Sequence, residues 1–276
     1  QGPPGPGGRR GDMIAAVDAR NRTIRVGLGD PGPSGVRWRA RFCLGADPLR
    51  SAEEYAWTLA GLCARQGVDP LAADRVILSS VVLSLTPRLR SACAQAFGSG
   101  EAGLGRVLTV GPGIRTGMKI RTDIPGEVGS DLVCDAVGAY ARLGTACIVV
   151  DFEAMLTFTA VNGEGELLGV AIAPGPQAAA ESLRANGAQL PQVRLEPPAR
   201  AVGKNSAQSI QSGILLGYSG LVDRMVALFR KELDCPAVAA GTGDEIGLAL
   251  APEGGYAFFD PWLSLEGLAV LDERNR

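Results

Sequence analysis

The pattern of hydrophobic and polar positions divides the chain into two kinds of segment. Short β-branched runs alternate with longer stretches in which apolar residues have helical spacing. The apolar runs Met13–Val17 and Thr23–Leu28 predict two strands joined by a tight turn, and Arg75–Val82 predicts a buried strand. A second pair of strands is predicted at Ala146–Asp151 and Met155–Val161. Because strands and helical stretches alternate in this way, the pattern is typical of an α/β protein.

Three stretches have the spacing of helices. The first begins at a capping-box pattern, Ser51 with Glu54, and ends at Gly67. The second covers Asp131–Leu143, and the third is a long helix over Ser206–Leu233 with Ser206 as its N-cap. The apolar stripe predicted for the long helix consists of Ile210, Ile214, Leu221, Met225 and Leu228.

The two predicted strand pairs resemble copies of one another. In each, an apolar strand ends on an aspartate, Asp18 or Asp151, and a short turn leads to a second strand. The two aspartates lie about half the chain apart, which favours a duplicated domain over a solenoid. The alternative is two unrelated hairpins with aspartate in ordinary turn chemistry. The duplication predicts halves at 13–143 and 144–276, preceded by a Pro/Gly-rich tag or disordered extension at 1–12.

Composition narrows the classes of function. The chain of 276 residues is 46% hydrophobic with a net charge of −2, so we expect a folded protein that does not coat nucleic acid. No apolar run reaches the length of a membrane helix, and no secretory signal is apparent, so we expect no membrane contact and a cytoplasmic location. The absence of histidine excludes Ser-His-Asp catalysis and His-ligated zinc. Six scattered cysteines without CxxC spacing are expected to be reduced thiols, mostly buried.

Several segments, in matching order from Met13 to Asn275, resemble the type III pantothenate kinase family, which is related to proteins described as Bvg accessory factors. The resemblance implies a duplicated actin-like α/β fold of the ribonuclease H-like type, with a central cleft. It also implies an enzyme that phosphorylates pantothenate at the start of coenzyme A synthesis. The segments are VILSSVV (76–82), DIPGEVGSDLVCDAVGAY (123–140), GVAIAPG (169–175), AQLPQVRLEPP (188–198), GKNSAQSIQSGILLGYSGLVDRMV (203–226) and DPWLSLEGLAVLDERN (260–275).

The resemblance also implies roles for single residues. Asp131 takes the position of the base that accepts the proton of the substrate hydroxyl, and Gly129 and Ser130 precede it. Asp18 and Asn21 fall on the first phosphate loop, where ATP and Mg²⁺ are expected. Further matches are Asp151 at a K⁺ site, Ser206 at a pantothenate contact, and Thr242 with Gly243 near the nucleotide.

The chain departs from the family pattern in both phosphate loops. In the first, Arg20 replaces a glycine and Arg22 replaces a threonine. In the second, Glu153 replaces a glycine and Ala154 replaces a phosphate-contacting threonine. Since glycine allows the backbone to approach a phosphate closely, these side chains are expected to damage the cradle.

Further departures lie on the substrate side and near the nucleotide. Leu132 replaces an arginine that would pair with an anionic group, and Thr122 replaces a tyrosine. Asp135 replaces an asparagine, and Asp244 adds a carboxylate after Gly243. The changes therefore favour a retained scaffold with a damaged kinase site.

Three hypotheses follow. The first is a pseudokinase that forms a homodimer or a heterodimer with an active type III pantothenate kinase paralogue, with the helix 206–233 as the interface. The second is an active kinase in which Arg20 and Arg22 hold phosphates through their side chains. The third is a regulatory or transcriptional accessory protein that acts through a protein partner, because the acidic pI of about 5.4 disfavours direct DNA contact.

Overall fold

A computed structural model describes residues 13–33, 35–98, 107–233 and 235–276, and the extension predicted at 1–12 lies outside these ranges. The described strands are β1 (Met13–Ala19), β2 (Thr23–Gly32), β3 (Gly35–Gly45), β4 (Ala73–Ser80), β5 (Val107–Thr109), β6 (Cys147–Phe152), β7 (Met155–Val161), β8 (Leu167–Pro174), β9 (Val238–Gly243) and β10 (Phe258–Phe259). The α-helices are α1 (Ala52–Arg65), α2 (Thr86–Phe97), α3 (Ser130–Leu143), α4 (Pro176–Asn186), α5 (Ser206–Leu233), α6 (Ile246–Ala249) and α7 (Leu263–Arg274).

The chain forms two compact units that interleave along the sequence. Unit 1 contains the described residues up to Gly117 together with Gly126–Cys134 and Ser264–Arg276. Unit 2 contains Met118–Pro125 and Asp135–Leu263. The sequence predicted a single division after residue 143, whereas here the last helix belongs almost entirely to unit 1.

The two units repeat one sheet topology. The strand order is β3-β2-β1-β4-β5 in unit 1 and β8-β7-β6-β9-β10 in unit 2. In each sheet the first strand in sequence is central, antiparallel to the next strand and parallel to the fourth. Asp18 and Asp151 occupy corresponding places near the end of that central strand, so the predicted duplication is confirmed.

Local sequence explains the elements that the pattern predicted. Ser51 accepts a hydrogen bond from the Glu54 backbone, and the Glu54 side chain accepts one from the Ser51 backbone, which completes the capping box of α1. The helix stops before Gly67, whose φ of 71° favours glycine. All six cysteines are free thiols, and four of them are buried, as the sequence predicted.

Helix α5 packs through most of the predicted stripe, because Ile210 and Ile214 are buried and Leu221 and Met225 are partly buried against the core of unit 2. Leu215, Val222 and Val226 are buried in the core of unit 2, whereas Leu228 is 38% exposed. Residues 215, 222 and 226 recur close to whole turns of the helix, and residue 228 falls on another side. Helix α5 is long and apolar enough to cross a membrane by length and composition alone. A helix in the core of a folded domain passes the same test, and α5 makes such core contacts.

The N-cap of α5 is Asn205 and not Ser206, as the sequence had predicted. The Asn205 side chain accepts a hydrogen bond from the Gln208 backbone at 2.9 Å. Ser206 is the first residue of the helix and is exposed. Both residue types are good caps and they are adjacent, so spacing alone did not distinguish them.

Candidate functional site

The site in unit 1 is built around a buried ion pair at the end of β1. Asp18 is fully buried, Arg20 is 2% exposed, and the Arg20 Nε donates to the Asp18 Oδ2 at 2.7 Å. Asp18 lies in β1, whereas Arg20 directly follows the strand, and the Arg20 side chain reaches back to the strand end. The side chain that replaces a loop glycine is therefore folded inward onto the aspartate.

The charge state of Asp18 is set by this pairing. Burial alone would raise the pKa of its carboxyl, but the Arg20 charge and hydrogen bond act against burial. The hydroxyl of Ser264 and the charge of Arg25 act in the same direction, and the net effect is a pKa below the usual value. Asp18 is thus held as a carboxylate by protein groups.

The beginning of α3 holds the second carboxylate of the site. The Asp131 Oδ1 accepts a hydrogen bond from the Leu132 backbone at 2.8 Å, and the Val133 backbone donates to the Gly129 carbonyl at 3.1 Å. A Cβ on Gly129 would collide with the Asp131 Oδ1, so the glycine provides the space in which the carboxylate lies. The family-like Gly-Ser-Asp sequence has a steric reason in this fold.

Ser130 anchors the same helix to the sheet. Its hydroxyl lies 2.9 Å from that of Ser79, which is buried at the end of β4. Because β4 is the parallel neighbour of β1, this contact fixes α3 against the strand end that carries Asp18. Sequence reasoning did not single out Ser79.

Asp131 is electrostatically coupled to the ion pair. Burial is the largest influence and raises its pKa, the positive charge of Arg20 lowers it, and the negative charge of Asp18 raises it. The net result is a raised pKa. Arg20 therefore acts on both Asp18 and Asp131, so the site has one cation between two acidic side chains.

The remaining predicted residues of unit 1 differ in exposure. Asn21 and Arg22 form the exposed turn between β1 and β2, and the Arg20 backbone donates to the Thr23 carbonyl at 2.8 Å. Leu132 is 7% exposed, so an apolar side chain is buried directly after Asp131. The structure thus brings Asp18, Arg20 and Asp131 together and leaves the turn residues at the surface.

The corresponding strand end in unit 2 is built on close backbone packing. Asp151 is 3% exposed and pairs in register with Thr242, which is fully buried. The Thr242 hydroxyl donates to the Asp260 carbonyl at 2.8 Å. Gly243 has a φ of 91°, and a Cβ there would lie 2.7 Å from the Asp151 Oδ1. Because of this φ and this close approach, only glycine fits the position.

The second turn, between β6 and β7, packs against another glycine. The Glu153 backbone donates to the Met155 carbonyl at 3.0 Å, and the Gly175 backbone donates to the Ala154 carbonyl at 3.1 Å. A Cβ on Gly175 would lie 2.9 Å from that same carbonyl. The turn is therefore fixed by Gly175, which joins β8 to α4, and Ala154 offers no hydroxyl there.

A cavity of about 410 Å³ lies beside this turn in unit 2. Phe152, Leu195 and Ile246 contribute apolar walls, and Glu153 and Asp244 contribute carboxylates. The Asp244 backbone donates to the Phe152 carbonyl at 2.6 Å, which fixes one side. The volume suits a small organic ligand, and two acidic side chains line the space.

Three other predicted residues also belong to unit 2. The half-buried Thr122 has a hydroxyl without a hydrogen-bond partner among the described residues. Asp135 is 1% exposed on α3, and Ser206 lies exposed at the start of α5. Within the described ranges, no group of three or more cysteine, aspartate or glutamate side chains is arranged to hold a metal ion.

Comparison with known proteins shows the family to which the chain belongs. A family described as type III pantothenate kinase matches residues 14–228. The type III pantothenate kinase of Moorella thermoacetica is 36% identical and covers 95% of this chain and 100% of its own length. That of Geobacter sulfurreducens is 39% identical, with coverages of 96% and 100%. A Baf family protein from Campylobacter jejuni has a similar fold, with a TM-score of 0.55, 16% identity and coverages of 95% and 98%.

Proposed function

The chain belongs to the type III pantothenate kinase family, and from this premise we propose that it is a pseudokinase member of the coenzyme A pathway. In this proposal the chain keeps the duplicated actin-like scaffold but does not by itself transfer phosphate from ATP to pantothenate. We place it in the cytoplasm, without direct contact to nucleic acid or membrane.

The observation that carries the proposal is the buried Arg20–Asp18 pair. A glycine at position 20 would leave the backbone of the turn open to a phosphate. Here a guanidinium occupies the space beside Asp18, with its Nε 2.7 Å from the carboxylate and 3% of the side chain exposed. Because the Arg20 guanidinium is already paired with Asp18 inside the protein, it is a poor substitute for the backbone N–H groups of a phosphate-binding loop.

The second turn supports the same conclusion. Glu153 brings a carboxylate to the turn that corresponds to a phosphate loop, and Asp244 lines the same cavity. One carboxylate at ~4 Å from a phosphate oxygen costs about 4 kcal/mol per unit charge at an effective dielectric constant of about 20. ATP carries several such charges, so this cavity opposes its polyphosphate.

We further propose that the chain acts as a dimer, either with itself or as the non-catalytic subunit of a heterodimer with an active paralogue. Helix α5 supports this, because a Cβ at Gly213, Gly217 or Gly220 would meet nothing within 4 Å. Leu216 lies among these glycines and is 46% exposed. Small residues next to an exposed leucine give a helix face on which a partner helix can pack closely.

A second candidate is an active kinase with altered loops, and Asp131 favours it. This carboxylate lies at the start of α3 with a raised pKa, which is a suitable property for a group that accepts a proton from an alcohol. Asp18 and Asp151 are retained as buried carboxylates, where Mg²⁺ and K⁺ would be sought.

An assay of the purified chain distinguishes the two candidates. The chain is incubated with ATP, pantothenate, Mg²⁺ and K⁺, and phosphopantothenate is measured beside a preparation of the Asp131→Asn variant. We expect no product above the variant's background from the chain alone. Turnover that Asp131→Asn abolishes would refute the pseudokinase and support the active enzyme. Co-purification of a homologous kinase from the native host would identify the heterodimer.

A further inference from the structure

We infer that Arg20 is a built-in cation that takes the place of a divalent metal ion at Asp18, so that unit 1 holds no Mg²⁺ there. This inference rests on the proposed function in one respect, since both locate the altered phosphate site at the β1–β2 turn. It goes further in naming what replaces the metal. It also predicts that any ligand of this turn binds without help from a metal held by Asp18.

The ion pair makes Asp18 an unfavourable place for a hydrated metal ion. Divalent magnesium needs carboxylate oxygens that it can approach to about 2.1 Å, and it keeps several water molecules. The Asp18 Oδ2 already accepts from the Arg20 Nε at 2.7 Å, and both side chains are almost completely buried. A hydrated cation would have to bind through the Asp18 Oδ1, which is buried and has no hydrogen-bond partner among the described residues, and it would lie beside a guanidinium that repels it.

The surrounding charges act in the same direction. Arg25 faces Asp18 across the β1–β2 pair, and its positive charge also acts on that carboxylate. The positive charge of Arg20 also acts on Asp131, where it opposes the rise in pKa that burial causes. Arginine is never deprotonated in proteins, so this internal cation is permanent, whereas a metal ion exchanges with solvent.

A manganese titration tests the inference without any activity measurement. Mn²⁺ is the probe, and the free ion is counted by electron paramagnetic resonance in the wild type, in Asp18→Asn and in Arg20→Gly. The matched control is Arg65→Gly, which removes one exposed arginine at the last position of α1, a helix end that tolerates glycine.

The expected pattern is specific. The wild type, Asp18→Asn and Arg65→Gly bind Mn²⁺ equally weakly. Arg20→Gly binds it at least about tenfold more tightly, because a buried like charge is removed from the site. Adding Asp18→Asn to Arg20→Gly abolishes that gain. A wild-type site that Asp18→Asn removes would overturn the inference, and so would a folded Arg20→Gly that gains no affinity.

A measurement on the unmodified sequence covers the case in which Arg20→Gly does not fold. The thermal midpoint of the wild type is compared in MgCl₂ and in NaCl of equal ionic strength, and we expect equal values. A magnesium-specific rise that Asp18→Asn abolishes would overturn the inference. Phosphate transfer by the purified chain would refute the proposed function alone, whereas a metal site at Asp18 would refute this inference alone.

Discussion

Removing Arg20 is expected to destabilise the fold far more than breaking an equally short ion pair at the surface. In the wild type the pair joins groups that are 3% and 0% exposed. Arg20→Ala leaves the Asp18 carboxylate buried without its strongest partner, and loss of one member of a buried pair costs about 3–5 kcal/mol. The matched control is Arg39→Ala. Its pair with Asp30 is 2.6 Å long but 49% and 29% exposed, so it should cost at most about 1 kcal/mol.

The pH dependence of this loss gives a second check with a definite sign. In the wild type the pKa of Asp18 is lowered, so its stabilising contribution is present above the unfolded pKa and disappears as pH falls through the folded pKa. Without Arg20, burial becomes the main influence and the folded pKa of Asp18 should rise above the unfolded one. The variant then gains stability on acidification, and the difference from wild type narrows.

Urea unfolding followed by circular dichroism measures both effects. We compare wild type, Arg20→Ala and Arg39→Ala at about pH 7 and about pH 5, above the unfolded pKa of aspartate near 3.9. A loss for Arg20→Ala no larger than that for Arg39→Ala at the higher pH would refute the reasoning. A loss that grows on acidification would contradict the assigned role of burial.

The remaining predictions concern single positions. Gly243→Ala should cost about 1–3 kcal/mol or more in urea unfolding, and Gly254→Ala less, because both have positive φ but only the first meets other atoms. Asn205→Ala should cost about 1 kcal/mol and Ser206→Ala less, which thermal unfolding would show; the reverse order would contradict the cap assignment. Asp131→Asn should be at least as stable as wild type at neutral pH, because it removes a buried charge whose pKa is raised; a lower midpoint would contradict this.

Much of the fold was predictable because its signals are local. Apolar runs ending at Asp18 and Asp151 predicted the two central strands and their duplication. The start of α1 followed from the Ser51 capping box. Strand β3 was missed although its polar and apolar residues alternate, as in a sheet with one solvated face. The interleaved composition of the units was missed because contacts such as the hydrogen bond from Trp38 to Glu266 join distant parts of the chain.

The candidate site shows that family resemblance located the altered residues but did not predict their contacts. Resemblance marked Arg20 as an obstacle in a phosphate loop, which treats residue 20 as part of the turn. In the structure residue 20 does begin the turn, where its backbone donates to the Thr23 carbonyl, but its side chain lies against Asp18 and forms the ion pair. The partner Ser79 carried no local signal, because the parallel pairing of β4 with β1 brings it to the site.

The central claim is that the turn carrying Arg20 no longer accepts the polyphosphate of ATP. Calorimetric titration of ATP into the purified chain, with and without Mg²⁺, tests this most directly. The account predicts absent or millimolar affinity under both conditions. Micromolar binding that requires Mg²⁺ and is lost in Asp18→Asn would contradict it.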